Sequence, residues 1–193
     1  DPYSSSKAAL ELATKSWRKS FFKENIVIST ARAGNVIGGG DWAKDRIVPD
    51  TINSLLKDIP LKLRYPNAIR PWQHVLDPLW GYITLAEKQI KNRISCEFNF
   101  GPKTLDTSSV QELVNLIALY WGKEPIIEIL GNQPFETEYL NLSIDKAFKE
   151  LNWAPKWDFR KTVFETVKWY KDVNKGTSPY QCINENIKSF LSK

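Results

Sequence analysis

A tyrosine and a lysine stand four residues apart near the start of the sequence, at Tyr3 and Lys7. The segment around them, PYSSSKAALELATKSWRKSFF, predicts a helix over about residues 4–22, because apolar residues recur at mostly three- and four-residue steps. Residues four apart share one face of a helix. The lysine ammonium can therefore lie beside the tyrosine hydroxyl, or beside a ligand held over both side chains.

Such a pair can turn a phenol into a base that works near neutral pH. A free tyrosine has a pKa of about 10, so ionising it near pH 7 requires about 4 kcal/mol of preferential stabilisation of the phenolate. One ammonium about 4 Å away supplies about that much at an effective dielectric of about 20. A surface tyrosine and lysine on an ordinary helix have the same spacing, and by spacing alone that interpretation is the more frequent one.

The next segments predict an α/β fold. A strand over residues 26–32 leads through the glycine-rich loop GNVIGGGDW to a helix that begins near Arg46. Strand-like segments over residues 61–64 and 69–75 suggest a short hairpin across a turn at residues 66–67.

The second half of the sequence continues this alternation. Asp77 is expected to cap a helix that runs to about Lys91, with Pro78 at its first position. The strand CEFNF is expected to return to the first sheet, and TSSVQELVNLIALYW predicts a strong helix. IIEIL and YLNLS predict strands, SIDKAFKELNW and DFRKTVFETVKWY predict helices, and residues 175–193 are interpreted as a loosely attached tail.

Composition excludes several classes of protein. The chain has 193 residues, 42% hydrophobic and 25% charged, and no apolar run approaches the length of a membrane helix. The net charge of +5 is scattered along the chain, which argues against nucleic-acid binding. With one histidine and two cysteines, Cys96 and Cys182, neither a zinc-type ligand set nor a disulfide framework is expected, and both thiols are expected to be reduced. Nothing in the sequence points outside the cytoplasm.

Three runs occur in order behind the Tyr-x-x-x-Lys helix: RAGNVIGGGDWAKDRIVPD, IRPWQHVLDPLWGYITLAEK and FNFGP. Together they resemble the CDP-glucose 4,6-dehydratase family of extended short-chain dehydrogenase/reductases, from residue 1 to about residue 170. The resemblance implies the C-terminal part of a Rossmann-like, doubly wound parallel sheet interleaved with a smaller α/β substrate-binding domain. Residues 1–36 and 75–101 would belong to the NAD-binding domain, and residues 37–74 and 102–174 to the nucleotide-sugar domain.

The resemblance also implies that a preceding half is missing. The sequence contains no methionine, begins on a motif expected in mid-protein, and has no G-x-G-x-x-G phosphate loop. The run Gly38–Gly40 has the wrong spacing for that loop, and it is interpreted as a means to reach positive φ. A fragment without the phosphate loop is expected to be inactive and not to retain NAD.

The resemblance assigns roles to single residues. Tyr3 would be the catalytic base, with Lys7 as its electrostatic partner. The residues implied in NAD binding are Tyr3, Lys7 and Ala33, and those implied in substrate binding are Asn35, Arg46, Arg70 and Asn99.

Plainer interpretations of these residues stay open. Asn35 can be a turn residue, Arg70 a solvated or ion-paired arginine, and Asn99 the end of a strand. The single histidine, His74, is interpreted as structural. Glu138 departs from the family, where a histidine is expected, and a carboxylate there does not suit contact with a diphosphate.

The expected partner is a nucleotide sugar, specifically CDP-glucose, and the expected assembly is a homodimer or higher homo-oligomer. Two other functions remain open. One is a different nucleotide-sugar dehydratase, epimerase or reductase, and the other is a member that binds nucleotide without catalysis.

Overall fold

The computed structural model describes residues 2–22, 26–103, 106–131 and 137–192. Helices and strands alternate along most of the chain. In order they are α1 (Pro2–Ser20), β1 (Thr30–Ala33), β2 (Val36–Ile37), α2 (Ile47–Lys57), β3 (Leu61–Leu63), β4 (Ile69–Arg70), β5 (Gln73–His74), α3 (Leu76–Asn92), β6 (Glu97–Phe100), β7 (Ser108–Ser109), α4 (Val110–Trp121), β8 (Ile127–Ile129), α5 (Asp145–Leu151), α6 (Phe159–Asn174) and α7 (Pro179–Leu191).

The strands pair mostly in parallel and across long stretches of sequence. β1 pairs with β6 from Thr30 opposite Glu97 to Ala33 opposite Phe100, which confirms that the 96–100 strand returns to the first one. β2 pairs with β5, and β3 with β8, also in parallel, whereas β4 and β7 are antiparallel. Parallel pairing needs crossover connections, usually helical, so this is the α/β architecture that the sequence predicts.

Two large clusters of buried side chains hold these layers together, and a third, of Leu61, Leu63 and Val114, joins β3 to α4. The larger cluster joins α2, α4 and α6 and includes Ile52, Leu113, Ile117 and Val167. The smaller one lies under β6 and α5, where the rings of Phe100 and Trp153 meet edge to face at 4.9 Å. An aromatic pair at this distance adds to the burial of its own apolar area.

The start of α4 shows how sequence fixes a helix boundary. The Ser109 hydroxyl accepts a hydrogen bond from the backbone N–H of Glu112, and the Glu112 carboxylate accepts one from the N–H of Ser109. This reciprocal capping box satisfies two backbone donors that the first turn leaves unpaired. At the other end, Gly122 closes the helix at a φ of 82°.

Three predictions of local structure are wrong. The segments at 61–64 and 69–75 do not form a hairpin, because β3 pairs with β8 and β4 with β7. YLNLS contributes a single bridge, between Tyr139 and Ile69, in place of a strand. Asp77 lies inside the first turn of α3 with Val75 as the N-cap, and its carboxylate accepts the backbone N–H of Lys156 at 2.7 Å.

The interpretation of residues 175–193 as a loosely attached tail is also wrong. This segment contains α7, whose Cys182, Asn186 and Phe190 are buried. The Phe190 ring packs on Trp157 at 5.2 Å, and the Asn186 amide donates to the buried Glu165 carboxylate at 2.8 Å. Apolar contact and a satisfied buried carboxylate therefore fix α7 to the domain. The proposed division of the chain into two interleaved domains stays a prediction.

Candidate active site

A cavity of about 1090 Å³ opens beside the carboxyl end of β2. Its wall is formed by the loop after β2, the first turns of α2, the strand β3 and the segment that contains β4. Three of the predicted substrate-binding residues line it: Asn35, Arg46 and Arg70. In folds with parallel sheets, ligands bind outside the carboxyl ends of strands, so this cavity lies where a ligand is expected.

Asn35 stands in the two-residue connection between β1 and β2. Its backbone carbonyl accepts the N–H of Gln73 at 3.1 Å, which ties the connection to the start of β5. A Cβ on the preceding Gly34 would lie 2.9 Å from Cγ of Pro71, so only glycine permits this close approach. Backbone pairing and close packing thus place Asn35 at the cavity.

Arg70 is 6% exposed, which is unusual for an arginine. Its Nη1 donates to the backbone carbonyl of Ile69 at 2.8 Å and to that of Glu138 at 3.5 Å. Backbone carbonyls thus hold the guanidinium, while its positive charge stays at the cavity wall. Glu138, which departs from the family pattern, contacts Arg70 through its backbone carbonyl, and the residue itself is exposed.

Arg46 is the N-cap residue of α2 and is far more exposed than Arg70. Its side chain is 66% exposed, and its Nε lies 3.8 Å from an Asp41 carboxylate oxygen. An exposed ion pair of this length contributes little to stability. Arg46 can therefore turn towards an anion in the cavity at small cost.

The glycine run beside the cavity serves packing more than phosphate binding. A Cβ on Gly39 would lie 2.1 Å from ring atoms of Trp169, and one on Gly38 would lie 2.9 Å from Cγ1 of Val75. Positive φ, which the sequence analysis expected for the run, occurs at Gly40 (91°). Two of the three glycines are needed because side chains already fill the adjoining space.

Tyr3 and Lys7 lie on α1, outside the set of residues that line the cavity. The Lys7 Nζ is 5.4 Å from the centre of the Tyr3 ring, so the predicted neighbourhood of the two side chains is present. Tyr3 is 72% exposed, and Leu10 and Trp17 on the same helix are 58% and 55% exposed. Every residue of α1 is at least partly exposed.

Ala33 and Asn99 lie on the paired strands β1 and β6. Ala33 ends β1 opposite Phe100. The Asn99 amide donates to the carbonyl of Ser143 at 3.1 Å, and Asn99 is also outside the cavity lining. The structure thus brings Asn35, Arg46 and Arg70 together and places Tyr3, Lys7, Ala33 and Asn99 elsewhere.

The structure adds cavity residues that the sequence analysis missed. Asp50 lies in the first turn of α2, and Lys62 and Arg64 lie on and directly after β3. A signal was available in LKLR, where charged residues alternate with the leucines. Leu61 and Leu63 are buried, whereas Lys62 and Arg64 are exposed, as expected for a strand with one face on the core.

Two buried ionisable groups flank Val75, a residue of the cavity wall: His74 ends β5, and Asp77 lies in the first turn of α3. Burial lowers the pKa of His74 to about 4, against a smaller opposing effect of the Glu165 carboxylate. Its Nδ1 accepts the backbone N–H of Leu76 at 3.3 Å, in keeping with a neutral, structural histidine. Burial raises the pKa of Asp77 to about 6, although backbone N–H groups of Lys156 and Trp157 favour its ionised form.

Two further classes of site can be assessed over the described residues. Within residues 2–22, 26–103, 106–131 and 137–192, histidine, cysteine and acidic side chains do not gather in a group of three that could hold a metal ion. Among the helices of this same part of the chain, none combines the length and apolarity needed to cross a membrane.

Comparisons with known proteins support the resemblance. A scan against protein-family models gives no match. The CDP-glucose 4,6-dehydratase of Salmonella typhimurium is 39% identical over 201 residues, an alignment that covers 100% of this chain and 56% of that protein. The chain thus spans about half the length of this relative. The resemblance to the CDP-glucose 4,6-dehydratases, predicted from the sequence, is confirmed.

Solved structures share the fold. The dTDP-glucose 4,6-dehydratase of Bacillus anthracis, solved in complex with NAD, matches 93% of this chain with a TM-score of 0.76 and 24% identity. The UDP-glucose-4-epimerase of Stenotrophomonas maltophila, solved with bound NAD and formylated UDP-arabinopyranose, matches 92% with a TM-score of 0.79 and 17% identity. These matches cover 55% and 56% of those chains. They confirm the predicted Rossmann-type α/β fold.

Proposed function

We propose that this chain is the C-terminal part of an NAD-dependent nucleotide-sugar 4,6-dehydratase whose substrate is CDP-glucose. The observation that carries the proposal is the alignment of the whole chain with a CDP-glucose 4,6-dehydratase at 39% identity. The cavity supports it, because three basic or amide side chains expected to hold a sugar diphosphate line one space. The product would be CDP-4-keto-6-deoxyglucose, formed with loss of water.

In this proposal Tyr3 and Lys7 act together on the sugar. Tyr3, Lys7 and Ala33 would hold the nicotinamide end of NAD, which when bound would supply reversible hydride transfer with the glucose. The Tyr3 phenolate would remove the proton of the 4-hydroxyl, and the Lys7 ammonium would favour the phenolate and hold the nicotinamide ribose. Both side chains are open to solvent now, where water weakens their attraction. They would act at full strength only when ligand and protein cover them.

The residues present fit only part of an NAD site. Tyr3 and Lys7 are adjacent and exposed, and Ala33 ends β1 at the edge where a cofactor would lie. The Gly38–Gly40 run is packed against Val75 and Trp169, so it does not provide a cradle for the pyrophosphate. That cradle would have to come from a part of the complete protein outside this chain.

Arg70 is the proposed main contact of the substrate diphosphate. A guanidinium can bind phosphate oxygens through two parallel hydrogen bonds, and its buried position strengthens the attraction. Arg46 would add a second, adjustable contact, and Asn35 would donate from its amide. Asn99 is proposed by resemblance alone to lie near the nucleotide.

A nucleotide-sugar epimerase is the second candidate. The match to UDP-glucose-4-epimerase has a TM-score of 0.79, slightly above that of the dehydratase structure. The fold is therefore compatible with either reaction. The identity of the product distinguishes the two candidates.

We further propose a cytoplasmic homodimer or higher homo-oligomer. Apolar side chains on α1 and directly after it support this proposal, since Leu10, Trp17 and Phe21 are each more than half exposed. Large exposed apolar patches mark interaction sites in soluble proteins.

The experiment is an assay of the complete native protein with CDP-glucose, with formation of the 4-keto-6-deoxy product followed by NMR. Tyr3→Phe should lower turnover by about 10²- to 10⁴-fold and leave the affinity for CDP-glucose nearly unchanged. Lys7→Ala should cost at least as much. Tyr180→Phe, at an exposed position on α7, is the matched control and should behave as the parent.

Two results would contradict the proposal. Turnover of Tyr3→Phe equal to the parent across pH 6 to 9 would show that Tyr3 is not the base. A 4-epimer in place of the 4-keto-6-deoxy product would identify the epimerase.

A further inference from the structure

We infer that Gln73, a buried residue behind the cavity wall, positions Asn35 for its contact with the substrate diphosphate. The inference rests on the proposed function, because it concerns how that contact is held in place. Asn35 lines the cavity, whereas Gln73 lies outside the described cavity lining. Gln73 would therefore act through Asn35 and not on the substrate itself.

The chain changes its strand partner at Asn35. β1, before it, pairs with β6, and β2, after it, pairs with β5. The backbone ladder is therefore interrupted at the point where the proposed substrate contact stands. A connection between two ladders needs other bonds to hold it in one position.

The side chain of Gln73 spans this interruption. Gln73 begins β5, and its Nε2 donates to the backbone carbonyl of Phe100, the last residue of β6, at 2.8 Å. Both residues are almost completely buried, at 1% and 0% exposure. A hydrogen bond in such surroundings is electrostatically stronger than one in water.

Backbone hydrogen bonds continue from this side chain to Asn35. The N–H of Gln73 donates to the Asn35 carbonyl at 3.1 Å. The N–H of Gly34 donates to the same Phe100 carbonyl that Gln73 holds, at 3.4 Å. Without the Gln73 amide, this long bond from Gly34 would have to fix the connection to the end of β6.

The other half of the Gln73 amide carries a cost. Within the described part of the chain, Oε1 is buried and has no hydrogen-bond partner. The Phe100 carbonyl fixes this orientation of the amide, because a carbonyl only accepts. An unpaired buried oxygen disfavours folding, and an apolar side chain of similar shape would avoid that cost. The donor, which holds the connection, thus explains a glutamine at this position better than stability does.

The backbone beside Gln73 is fixed as well, so the side chain acts from a firm support. Trp72 is buried, and its Nε1 donates to the carbonyl of Ser108 at 3.0 Å. The N–H of Val75 donates to β2 at 2.9 Å. A displacement of about 1 Å is enough to weaken a positioned contact strongly, so loss of the Gln73 donor should be felt at Asn35.

The test uses the complete native protein, with dissociation constants of CDP and UDP from calorimetry and KM and kcat with CDP-glucose. Gln73→Met keeps the length of the side chain and removes both the donor and the unpaired oxygen. It should weaken the tighter-binding nucleotide by about 5- to 50-fold and raise KM by a similar factor, with kcat within about threefold of the parent. The thermal midpoint should stay close to that of the parent, because a lost bond and a removed desolvation cost offset each other.

Double-mutant cycles identify the residue through which Gln73 acts. Asn35→Ala should itself weaken binding, and adding Gln73→Met to it should change the dissociation constant by less than about twofold. In an Arg46→Ala background, Gln73→Met should keep its full effect, because Arg46 lies on α2 and independent sites add. Gln181→Met, at an exposed position on α7, is the matched control and should behave as the parent.

The outcomes separate this inference from the proposed function. Binding of neither CDP nor UDP would overturn both. If Asn35→Ala weakens binding and Gln73→Met does not, or if Gln73→Met has its full effect in the Asn35→Ala background, the inference fails and the proposed function stands. Preference for UDP would overturn the CDP-glucose assignment alone, since the cycles can be measured with either nucleotide.

A purely structural role of Gln73 would give a different result. The thermal midpoint would fall while the dissociation constant and KM stayed as in the parent. Gln73→Leu, whose side chain is shorter, is used in the same cycles if the methionine variant does not fold. Failure of both variants to fold would show that Gln73 is needed for folding, and would overturn the inference.

Discussion

His74 and Asp77 should make the stability of the protein depend on pH in opposite directions. Both are almost completely buried, at 1% and 0% exposure. For Asp77, whose pKa is raised from 3.8 to about 6, the proton favours the folded state. Its contribution to stability is fully present below about pH 4 and is lost as the pH rises through about 6.

For His74, whose pKa is lowered from 6.5 to about 4, the proton favours the unfolded state. Its contribution is fully present above about pH 6.5 and is lost as the pH falls through about 4.

The two effects are of similar size. One pKa unit corresponds to about 1.4 kcal/mol, so each group changes the free energy of unfolding by about 3 kcal/mol across this range. Between pH 4 and 6.5 they should nearly cancel in the parent protein. Asp77→Asn removes one effect and keeps an oxygen that can accept from the backbone of Lys156. Its stability relative to the parent should therefore fall by about 3 kcal/mol from pH 6.5 to 4.

The assay is urea unfolding of the native protein, followed by tryptophan fluorescence at intervals of half a pH unit. His74→Gln should show the opposite trend and gain about 3 kcal/mol relative to the parent over the same range. Subtracting the parent curve removes the contribution of all other carboxyl groups. Glu150→Gln, at an exposed position, is the control and should give a flat difference. A flat difference curve for Asp77→Asn would refute the reasoning.

Further predictions concern packing, and denaturant midpoints or thermal midpoints check each of them. Gly39→Ala should destabilise the protein by about 1–3 kcal/mol, because the added methyl would overlap the ring of Trp169. Gly131→Ala is the control, because a Cβ there meets nothing within 4 Å, and it should change stability by less than about 0.5 kcal/mol. An equal loss of stability in Gly39→Ala and Gly131→Ala would contradict the packing argument. Phe190→Ala should cost about 3–5 kcal/mol if α7 is part of the folded domain, whereas Leu191→Ala, 58% exposed, should cost little. Equal, small effects of these two changes would restore the interpretation of a loose tail.

Elements whose signals are local could be predicted from the sequence. α4 is an example, since its capping box, apolar stripe and terminal Gly122 all stand within one short segment. The pairing of the strands at residues 61–75 could not be predicted from local signals, because the partner of β3 lies at residues 127–129 and that of β4 at residues 108–109. α7 was missed for another reason. Its buried stripe, with Cys182, Asn186 and Phe190 four residues apart, includes an amide that only a distant carboxylate makes compatible with burial.

The candidate site was predictable to the extent that the resemblance supplied it. Resemblance named Asn35, Arg46 and Arg70, and the fold gathers them at one cavity. Asp50 and Arg64 carry no motif of their own, and their place at one cavity depends on how α2 lies against β3. Such pairs become visible only when the two elements are placed together in space.

The pairing of β1 with β6 also has a consequence for how the protein is made. The Ser29 hydroxyl accepts the backbone N–H of Cys96, 67 residues further along the chain. At a synthesis rate of about 5–20 residues per second, β1 is made about 3–13 s before its partner β6. During this interval its hydrogen-bonding groups have no native partner in β6. The newly made chain would therefore present β1 as an unpaired strand for this time, and the interval should lengthen when elongation slows between codons 30 and 97.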